Sequence, residues 1–594
     1  MNAMKTFCGG FNFSKLSPCP DRIEGDGNGN GRKHDIIEPN HDYNYMRMHL
    51  DQLEEKILAF IDIGTNSIRL ILVRLNPNHS YTVLRQEKEV VRLGENEFKS
   101  NHLQPEAMER AVLVCKKFAE LAKSFGAGEI IAIATSAARE AKNQVEFLEQ
   151  LKDEAKLEVR VIPGKEEARL IYLGVSSGVH IGKRKAIFID IGGGSTELAI
   201  GDQFQQYYVD SFELGAIRLT TRFIQDGGTA PVPQDVYARM KLYIKNRILK
   251  TAQFMKSARI ECAFGSSGTI VNLAEIAMNL HERDGAGRNL VLNYKNLRKV
   301  VSTLCALALD ERKKIQGINP ERADIIVGGA AILETIMEEF GLEEITISDR
   351  GIVHGMLMDY LSKHEGFPQF QEMSVREMSV LQLGRSCNIN ERHANAVISL
   401  ALSLFDSSRR IGLHDMDERE RELLKYSSFL HDIGGFIAFK SHHLHSHYII
   451  GNTELPGFDQ IEINIMANVA RFHRKKLPKR KDQALALLDE HSANTVIILS
   501  MLLRLAEKLD RSHTCLVKKA EFTGKDRTKV DLAIWPDGGC ELEVWGVESN
   551  VKAFEKIFRR KLNLNVIQGS HWNREFSSLK IGRETAGVEN ALHA

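Results

Sequence analysis

The chain has 594 residues, which is enough for about three or four domains with separate hydrophobic cores. Hydrophobic residues make up 43% and charged residues 26%, as in soluble globular proteins, and the net charge of +1 excludes a generally basic protein. A polyanionic partner would therefore have to bind a local basic channel. No apolar run approaches the roughly 20 residues that span a bilayer. Because the eight cysteines lack Cys-x-x-Cys spacing, we expect reduced thiols in a cytoplasmic protein without a membrane partner.

Residues 1–52 are predicted to form a flexible N-terminal extension, because glycine and polar residues alternate from position 25 to 31. The segment from Asp26 to Gly31 begins like a calcium-binding loop. The last acidic ligand of such a loop would fall at position 37, which is Ile37. A disordered tail is therefore favoured over a calcium site.

A first α/β lobe is predicted over residues 53–182. It begins with an apolar run that carries Asp62, then a polar turn, then a second apolar run, which predicts a strand hairpin. Glycine lets the backbone of such a turn approach an anion, and the aspartate can hold a divalent cation beside it. Further along, strands are predicted at 59–63, 67–75, 81–91, 129–134 and 158–162, and helices at 105–125 and 143–157.

A second α/β lobe, predicted over residues 183–365, begins with a near copy of this hairpin. Asp190 precedes its turn and Glu197 follows it. For a single segment of this kind an ordinary hairpin turn is the better interpretation, but the duplication favours a phosphate-holding role. The repeat predicts a cleft between two related lobes.

Two further glycine-rich turns, at 264–269 and 327–330, precede helical patterns. Each would direct the N-terminal amides of a helix at an anion. Neither has the Walker spacing, and no Gly-x-Gly-x-x-Gly segment opens a helix after a strand. P-loop and Rossmann nucleotide sites are therefore disfavoured.

Together these segments resemble the exopolyphosphatase/guanosine pentaphosphate phosphohydrolase (Ppx/GppA) family, within the sugar kinase/Hsp70/actin superfamily. The resemblance covers about residues 55–515, and the segments that carry it are 62–67, 134–143, 164–170, 190–197 and 265–269. It implies an α/β fold of two ribonuclease-H-like, actin-like lobes that hold phosphate chains between them.

The resemblance also implies roles for individual residues. Glu167 would activate water, Asp190 and Glu197 would position Mg²⁺ and phosphate, and Arg139 would contact the phosphate chain. The other phosphate contacts would come from Asn66, Ser67, Gly192, Gly193, Gly194, Ser195, Thr196, Ser266, Ser267, Gly268 and Thr269. The residues alone leave alternatives open. Glutamates such as Glu167 are common in a first helical turn because of the helix dipole, and Arg139 at a helix start would also suit a surface salt bridge.

Long helical patterns without strand signals occupy residues 366–515. They contain the adjacent pair His431-Asp432, with His393 before it and Asp510 after it. This order resembles that of an HD-type metal phosphohydrolase domain and implies a centre for Mn²⁺ or another divalent metal. A satisfied core contact is the alternative. His473 follows a further cluster whose role the sequence leaves ambiguous, because a mobile loop there would bind metal only weakly: His442, His443, His445 and His447.

A basic run occupies residues 471–481 and contains Arg471, Arg474, Lys475, Lys476, Lys479, Arg480 and Lys481. It would form either a solvated surface or, beside a polyphosphate site, the wall of a channel for an extended anion. Nucleic-acid binding is not expected, because no aromatic platform accompanies the run. Residues 516–594 are predicted to form a small α/β domain and a tail, with strands at 530–535 and 541–545.

These features predict an exopolyphosphatase that hydrolyses the terminal phosphoanhydride of inorganic polyphosphate, with guanosine pentaphosphate as a further substrate. The alternatives are a guanosine pentaphosphate phosphatase, a nucleotide-sensing regulator of the stringent response, and a kinase of the same fold. In the first two of these alternatives the helical domain would be a second metal phosphohydrolase site. Mg²⁺ is the expected cofactor, together with a monovalent cation, and the family resemblance implies a homodimer.

Overall fold

The computed structural model describes residues 55–567 except 225–228, 281–289, 365–372, 481, 487 and 527. The predicted N-terminal extension with its calcium-like loop, and the predicted tail, lie outside the described residues. None of the described helices has both the length and the apolar character that crossing a membrane requires.

The first lobe is built around a five-stranded sheet. Its strands are β1 (Lys56–Ile63), β2 (Ser67–Leu75), β3 (Tyr81–Val90), β4 (Glu129–Ala134) and β5 (Val159–Val161). Its helices are α1 (Glu97–Ser100), α2 (Pro105–Ser124), α3 (Ser136–Glu140), α4 (Gln144–Glu154) and α5 (Gly164–Ser176). In the order β3-β2-β1-β4-β5, the first three strands are antiparallel, and β4 and β5 run parallel to β1. Because both faces of the sheet are covered, β1 is a nearly continuous apolar run.

The second lobe is built around a six-stranded sheet. Its strands are β6 (Ala186–Ile191), β7 (Thr196–Gly201), β8 (Gln206–Phe212), β9 (Cys262–Ser266), β10 (Val291–Asn293) and β11 (Glu344–Ile347). Its helices are α6 (Ala216–Phe223), α7 (Gln234–Ala258), α8 (Ser267–Leu280), α9 (Tyr294–Ala306), α10 (Leu309–Arg312), α11 (Ile326–Phe340) and α12 (Ile352–Lys363). The strand order is β10-β11-β9-β6-β7-β8.

The two sheets share one topology. In each, a three-stranded antiparallel meander is followed by two strands parallel to its first strand, and β10 extends the second sheet at its edge. This repeat confirms the predicted duplicated ribonuclease-H-like fold. It also places the two predicted hairpins, β1-β2 and β6-β7, at equivalent positions.

Helices α5 and α12 cross closely between the lobes. A Cβ added at Gly355 of α12 would lie 1.8 Å from the carbonyl oxygen of Leu170, and one at Gly174 of α5 would lie 2.1 Å from that of Gly351. The crossing therefore requires glycine on both helices. It fixes the start of α5, where the predicted base lies.

A helical region follows the two lobes. Its helices are α13 (Val375–Ser386), α14 (Glu391–Arg410), α15 (Glu418–Leu430), α16 (His442–Asn452), α17 (Gln460–Phe472) and α18 (Glu490–Lys508). The chain ends in β12 (Val517–Lys525), β13 (Lys529–Pro536), α19 (Glu541–Glu548), α20 (Val551–Phe558) and β14 (Lys561–Val566). One hydrophobic core joins these helices to the sheet β12-β13-β14, with Phe405, Phe522 and Phe554 buried in it.

Two local predictions are wrong. The strand predicted at 541–545 is part of α19, in which Glu543 and Val547 are buried while Leu542 and Trp545 remain exposed. The segment predicted as a turn at 327–330 lies inside α11. Its glycines, Gly328 and Gly329, instead let this helix approach neighbouring elements closely. In both cases tertiary packing overrides a short local pattern.

Candidate phosphate-binding cleft

Each lobe contributes one hairpin turn to a shared cleft. The Gly64 amide donates to the carbonyl of Ser67 at 3.2 Å, and the Gly192 amide donates to that of Ser195 at 2.9 Å. A Cβ at Gly64 would lie 2.9 Å from the Ser67 oxygen, and one at Gly192 would lie 3.1 Å from the Ser195 oxygen. The same tight turn therefore occurs twice and needs glycine at the same place.

Most of the predicted site residues line this cleft. They are Asn66, Ser67, Glu167, Asp190, Gly192, Gly193, Ser195, Ser267, Gly268 and Thr269. The other predicted residues support it from outside. The Thr196 hydroxyl donates to the Leu214 carbonyl at 2.5 Å, the Ser266 hydroxyl donates to Asp190 at 2.5 Å, and the Gly194 carbonyl accepts from Arg218 at 2.7 Å.

Four carboxylates gather around the cleft: those of Asp62, Glu167, Asp190 and Glu197. Burial raises the pKa of Asp62 to about 6. Burial also raises the pKa of Asp190 and raises that of Glu197 well above its usual range, where repulsion from Glu167 adds to the effect. The Oδ1 atom of Asp62 is buried and has no hydrogen-bond partner within the part of the chain that the structure describes. Such an oxygen-rich set fits Mg²⁺, which binds one or two carboxylates together with substrate phosphates.

The two adjacent glutamates at the start of α5 have different surroundings. Glu167 is 8% exposed and lines the cleft, and burial raises its pKa to about 7 although Arg139 opposes this. Glu166 instead forms an ion pair with Arg169 at 2.8 Å, which lowers the pKa of Glu166. Glu167 is thus the member of the pair that could accept a proton in the cleft near neutral pH.

Arg139 is held beside Glu167. Its Nη1 atom donates to Glu167 Oε2 at 2.9 Å and to the Ile162 carbonyl at 3.0 Å. The side chain is 21% exposed. Arg139 is therefore largely buried in an ion pair with Glu167, and it does not form the surface salt bridge of the alternative interpretation.

Three cations near the cleft were missed in the sequence. Arg69 and Arg322 line it, and Lys88 lies opposite Arg69 in the pairing of β2 with β3. Burial together with these two arginines lowers the pKa of Lys88 to about 8. The charged residue Arg69 within the apolar strand β2, which also contains Arg74, was a usable signal. Arg322 carried no such signal, because a short turn places it in the cleft.

Several polar groups in the cleft have no hydrogen-bond partner among the described residues. They are both side-chain polar atoms of Asn66 and the hydroxyl of Ser267, and all three atoms are buried. Ser267 also has a φ of 83°, which is rare for a residue with a Cβ. Buried polar groups are normally satisfied, so these atoms indicate a polar ligand.

Comparison with known proteins identifies the family. The sequence model of the Ppx/GppA phosphatase family matches residues 71–364, and the model of domain III of that family matches residues 375–537. The chain belongs to the Ppx/GppA phosphatase family. It is therefore a phosphatase, and so a hydrolase.

Relatives of this Ppx/GppA phosphatase include the guanosine-5'-triphosphate,3'-diphosphate pyrophosphatase of Photobacterium profundum. The two are 29% identical over 458 residues, which cover 77% of this chain and 88% of the relative. Similar solved structures include an exopolyphosphatase from Cytophaga hutchinsonii, with 28% identity, a TM-score of 0.49, and coverage of 52% of this chain and 99% of that one. Another is the Aquifex aeolicus PPX-GPPA enzyme, with 28% identity, a TM-score of 0.43, and coverage of 52% of this chain and 100% of that one.

Domain III of this Ppx/GppA phosphatase brings together most of the predicted metal ligands. His393, His431 and Asp432 each direct one ligand atom into a common group. Asp510 instead lies behind His393, where its Oδ2 atom accepts from His393 Nδ1 at 2.7 Å and its Oδ1 atom accepts from the Cys515 amide at 2.6 Å. Its position is that of a residue that orients a ligand.

The four-histidine segment, whose role the sequence left ambiguous, is helical. Residues 442–447 belong to α16, and His442 is buried beside His473 and Asp432 in a second group of ligand atoms. The basic run lies nearby, because Arg471, Arg474, Lys475 and Lys476 line a cavity together with His443. This cavity shares no lining residue with the phosphate-binding cleft.

Proposed function

We propose that this Ppx/GppA phosphatase is an exopolyphosphatase that removes terminal orthophosphate from inorganic polyphosphate. The observation that carries the proposal is the composition of one cleft. It combines Glu167, a buried carboxylate with a pKa of about 7, with Arg69 and Arg322, and Lys88 lies close to both arginines. A water-activating base and a group that neutralises a phosphate chain are what phosphoanhydride hydrolysis requires.

The residues would divide the work as follows. The two hairpin turns and the N-terminus of α8 would hold the oxygens of the terminal phosphate, with Asn66 and Ser267 donating to them. Glu167 would take a proton from water, whose oxygen attacks the terminal phosphorus. The bond from that phosphorus to the bridging oxygen then breaks, and the shortened chain leaves along Arg69, Lys88 and Arg322.

Mg²⁺ is the cofactor that the carboxylates suit. Asp62, Asp190 and Glu197 would hold it, and the bound ion would neutralise charge on the phosphoryl group that is transferred. Arg139 would act on Glu167, since its guanidinium holds the carboxylate in place and lowers its pKa.

Polyphosphate is favoured over a nucleotide by the cleft lining. Among the described residues that line the cleft, none has an aromatic ring on which a guanine base could stack. The charged residues in the wall suit a substrate that consists of phosphates alone.

Guanosine pentaphosphate phosphatase activity is the second candidate. The observation that favours it is the identity of 29% with the Photobacterium profundum pyrophosphatase, over 88% of the length of that relative. Both substrates would present a terminal phosphoanhydride to the same hairpins.

The deciding experiment measures orthophosphate release from long-chain polyphosphate and from guanosine pentaphosphate, with Mg²⁺ and then with Mn²⁺. Wild type, Glu167→Gln and the matched control Glu166→Gln would be compared. We expect faster release from polyphosphate, loss of activity in Glu167→Gln, and near-wild-type activity in Glu166→Gln. A preference for guanosine pentaphosphate would support the second candidate, and full activity in Glu167→Gln would overturn the site assignment.

A further inference from the structure

Five side chains converge inside the helical region. All five come later in the sequence than any residue that lines the phosphate-binding cleft. They come from four elements: His393 from α14, His431 and Asp432 from the end of α15, His442 from α16, and His473 from the end of α17. The four histidines are buried. The Asp432 side chain is 28% exposed, so the group lies partly open to solvent at this residue.

Each histidine has an oxygen acceptor beside Nδ1. This arrangement favours the tautomer in which Nδ1 carries the proton and Nε2 keeps a lone pair. The acceptors are Asp510 Oδ2 for His393 at 2.7 Å, Ser428 O for His431 at 2.8 Å, Phe439 O for His442 at 3.1 Å and Ala470 O for His473 at 2.6 Å. Such partners are the usual support of metal-binding histidines.

The Nε2 atoms surround the Asp432 carboxylate in two pairs. Oδ2 lies 3.9 Å from His393 Nε2 and 3.5 Å from His431 Nε2. Oδ1 lies 3.0 Å from His442 Nε2 and 3.6 Å from His473 Nε2. Ligand atoms about 2.1 Å from one ion are separated by roughly 3.0 Å in octahedral and roughly 3.4 Å in tetrahedral coordination. The spacing therefore suits one ion on each side of the carboxylate.

Without a cation this arrangement is unfavourable. Lone pairs on neutral rings face a carboxylate, and His393 Nε2, His431 Nε2 and Asp432 Oδ1 are buried with no hydrogen-bond partner among the described residues. Burial of unpartnered polar atoms costs free energy, and the cost is repeated at three atoms of one cluster. A satisfied core contact, the alternative from the sequence, would not leave these atoms unpaired.

Cations beside the cluster indicate the class of ligand. Arg474 Nη1 lies 3.1 Å from His442 Nε2, and Arg471 and Lys475 share with it the lining of an adjacent cavity of about 300 Å³. Lys476 in this lining is paired with Asp482, whereas Arg471, Arg474 and Lys475 form no ion pair with a described carboxylate. Unpaired guanidinium and ammonium groups at a metal centre suit a phosphate group.

We propose that His393, His431, Asp432, His442 and His473 bind two divalent transition-metal ions with Asp432 as the bridging ligand, and that this centre hydrolyses phosphate monoesters. One ion would have His393, His431 and Asp432 as ligands, and the other would have Asp432, His442 and His473. Each ion thus has three protein ligands and open positions for water and phosphate oxygen, as in catalytic rather than structural sites. A bound divalent ion makes water a nucleophile near neutral pH. The water oxygen attacks phosphorus, the bond to the alcohol oxygen breaks, and that oxygen takes a proton. Arg474 would hold the phosphate group.

The first test measures metal content. Metal-free protein would be titrated with Mn²⁺ and with Zn²⁺, and bound metal counted after gel filtration. We expect Asp432→Ala to bind about two fewer equivalents than wild type, and His442→Gln about one fewer. The control His491→Ala removes an exposed histidine of the same domain, with 75% of its side chain accessible, and should match wild type. Equal metal content in wild type, Asp432→Ala and His442→Gln would overturn the metal centre.

The second test measures turnover of p-nitrophenyl phosphate with Mn²⁺ in the Glu167→Gln background, where the first site lacks its base. We expect metal-dependent release of p-nitrophenol that Asp432→Ala reduces at least a hundredfold and His491→Ala leaves unchanged. Asp432→Asn, which preserves side-chain volume, provides the same comparison if the alanine variant does not fold. Absence of turnover in the Glu167→Gln protein, or equal rates with and without Asp432, would overturn the hydrolytic step.

Discussion

The phosphate-binding cleft and the histidine cluster of domain III both contain carboxylates, but different side chains lie around them. The cleft combines carboxylates with Arg69 and Arg322, beside which Lys88 lies, and its turns present amides and hydroxyls. The cluster surrounds the Asp432 carboxylate with imidazoles. Oxygen ligands favour Mg²⁺ and imidazoles favour transition metals, so our two proposals assign different metals to the two regions.

The largest expected effect is that one substitution in each region abolishes the property of that region and leaves the other region unchanged. Glu167→Gln should reduce phosphate release from polyphosphate by roughly 10²–10⁴-fold, the usual contribution of a general base. It should leave the metal content of domain III unchanged. Asp432→Ala should have the opposite pattern, with lost metal and retained polyphosphate hydrolysis. Steady-state kinetics and metal analysis on the same preparations check both. If either substitution abolished both properties in a folded protein, the two regions would not be independent.

A smaller effect is expected from the cations of the cleft. Arg322→Ala should raise the KM for polyphosphate by roughly 10–100-fold with a lesser change in kcat, because hydrogen bonds to charged groups contribute about 1.5–3 kcal/mol. The matched control is Arg298→Ala, since 67% of that side chain is exposed in the same lobe. Initial rates over a range of polyphosphate concentrations and salt concentrations measure the difference. An unchanged KM in Arg322→Ala would remove Arg322 from the substrate path.

The pH dependence sharpens the role of Glu167. The base acts when deprotonated, and burial raises the pKa of Glu167 to about 7. Therefore kcat/KM should be constant above that pH and should fall about tenfold per pH unit below it. Because Arg139 lowers this pKa, Arg139→Gln should move the falling limb to higher pH. A profile whose limb does not move in Arg139→Gln would show that another group limits the rate.

The smallest expected effect concerns stability. Burial and Glu167 raise the pKa of Glu197 in the folded protein, so folding loses stability as pH rises above the ordinary glutamate range. Glu197→Gln removes this cost and should stabilise the protein by on the order of 1 kcal/mol at pH 8 with a chelator present. Thermal melts of Glu197→Gln beside the control Glu213→Gln, whose side chain is 62% exposed, would measure it. A lower melting temperature in Glu197→Gln than in the control would contradict the predicted repulsion.

Local sequence predicted most of the two lobes. The strand predicted at 67–75 is β2, and the helix predicted at 105–125 is α2 with one residue fewer. Both are long, periodic segments in which burial follows the apolar pattern. The short pattern at 541–545 was assigned to the wrong class of element, because a few alternating residues fit a strand and a helix equally well.

The cleft itself was predicted in part. Asp62, Asp190 and Glu167 belong to motifs that are continuous in the sequence, and the structure brings all three to one cleft. Arg322 belongs to no motif, and the packing of its turn against the second lobe decides its position. The family resemblance named Glu167 of the adjacent pair, but the residues alone left open which glutamate faces the cleft, since the direction of a side chain depends on the placement of α5.

The sequence by itself therefore determined the repeated hairpins, the family and the residue types that suit phosphate and metal chemistry, because these are properties of contiguous segments. Only the tertiary structure decided that Glu167 faces the cleft, that Asp510 supports His393, and that His442 and His473 join Asp432. The physical reason is that burial, pKa and ligand spacing depend on contacts between residues far apart in the chain.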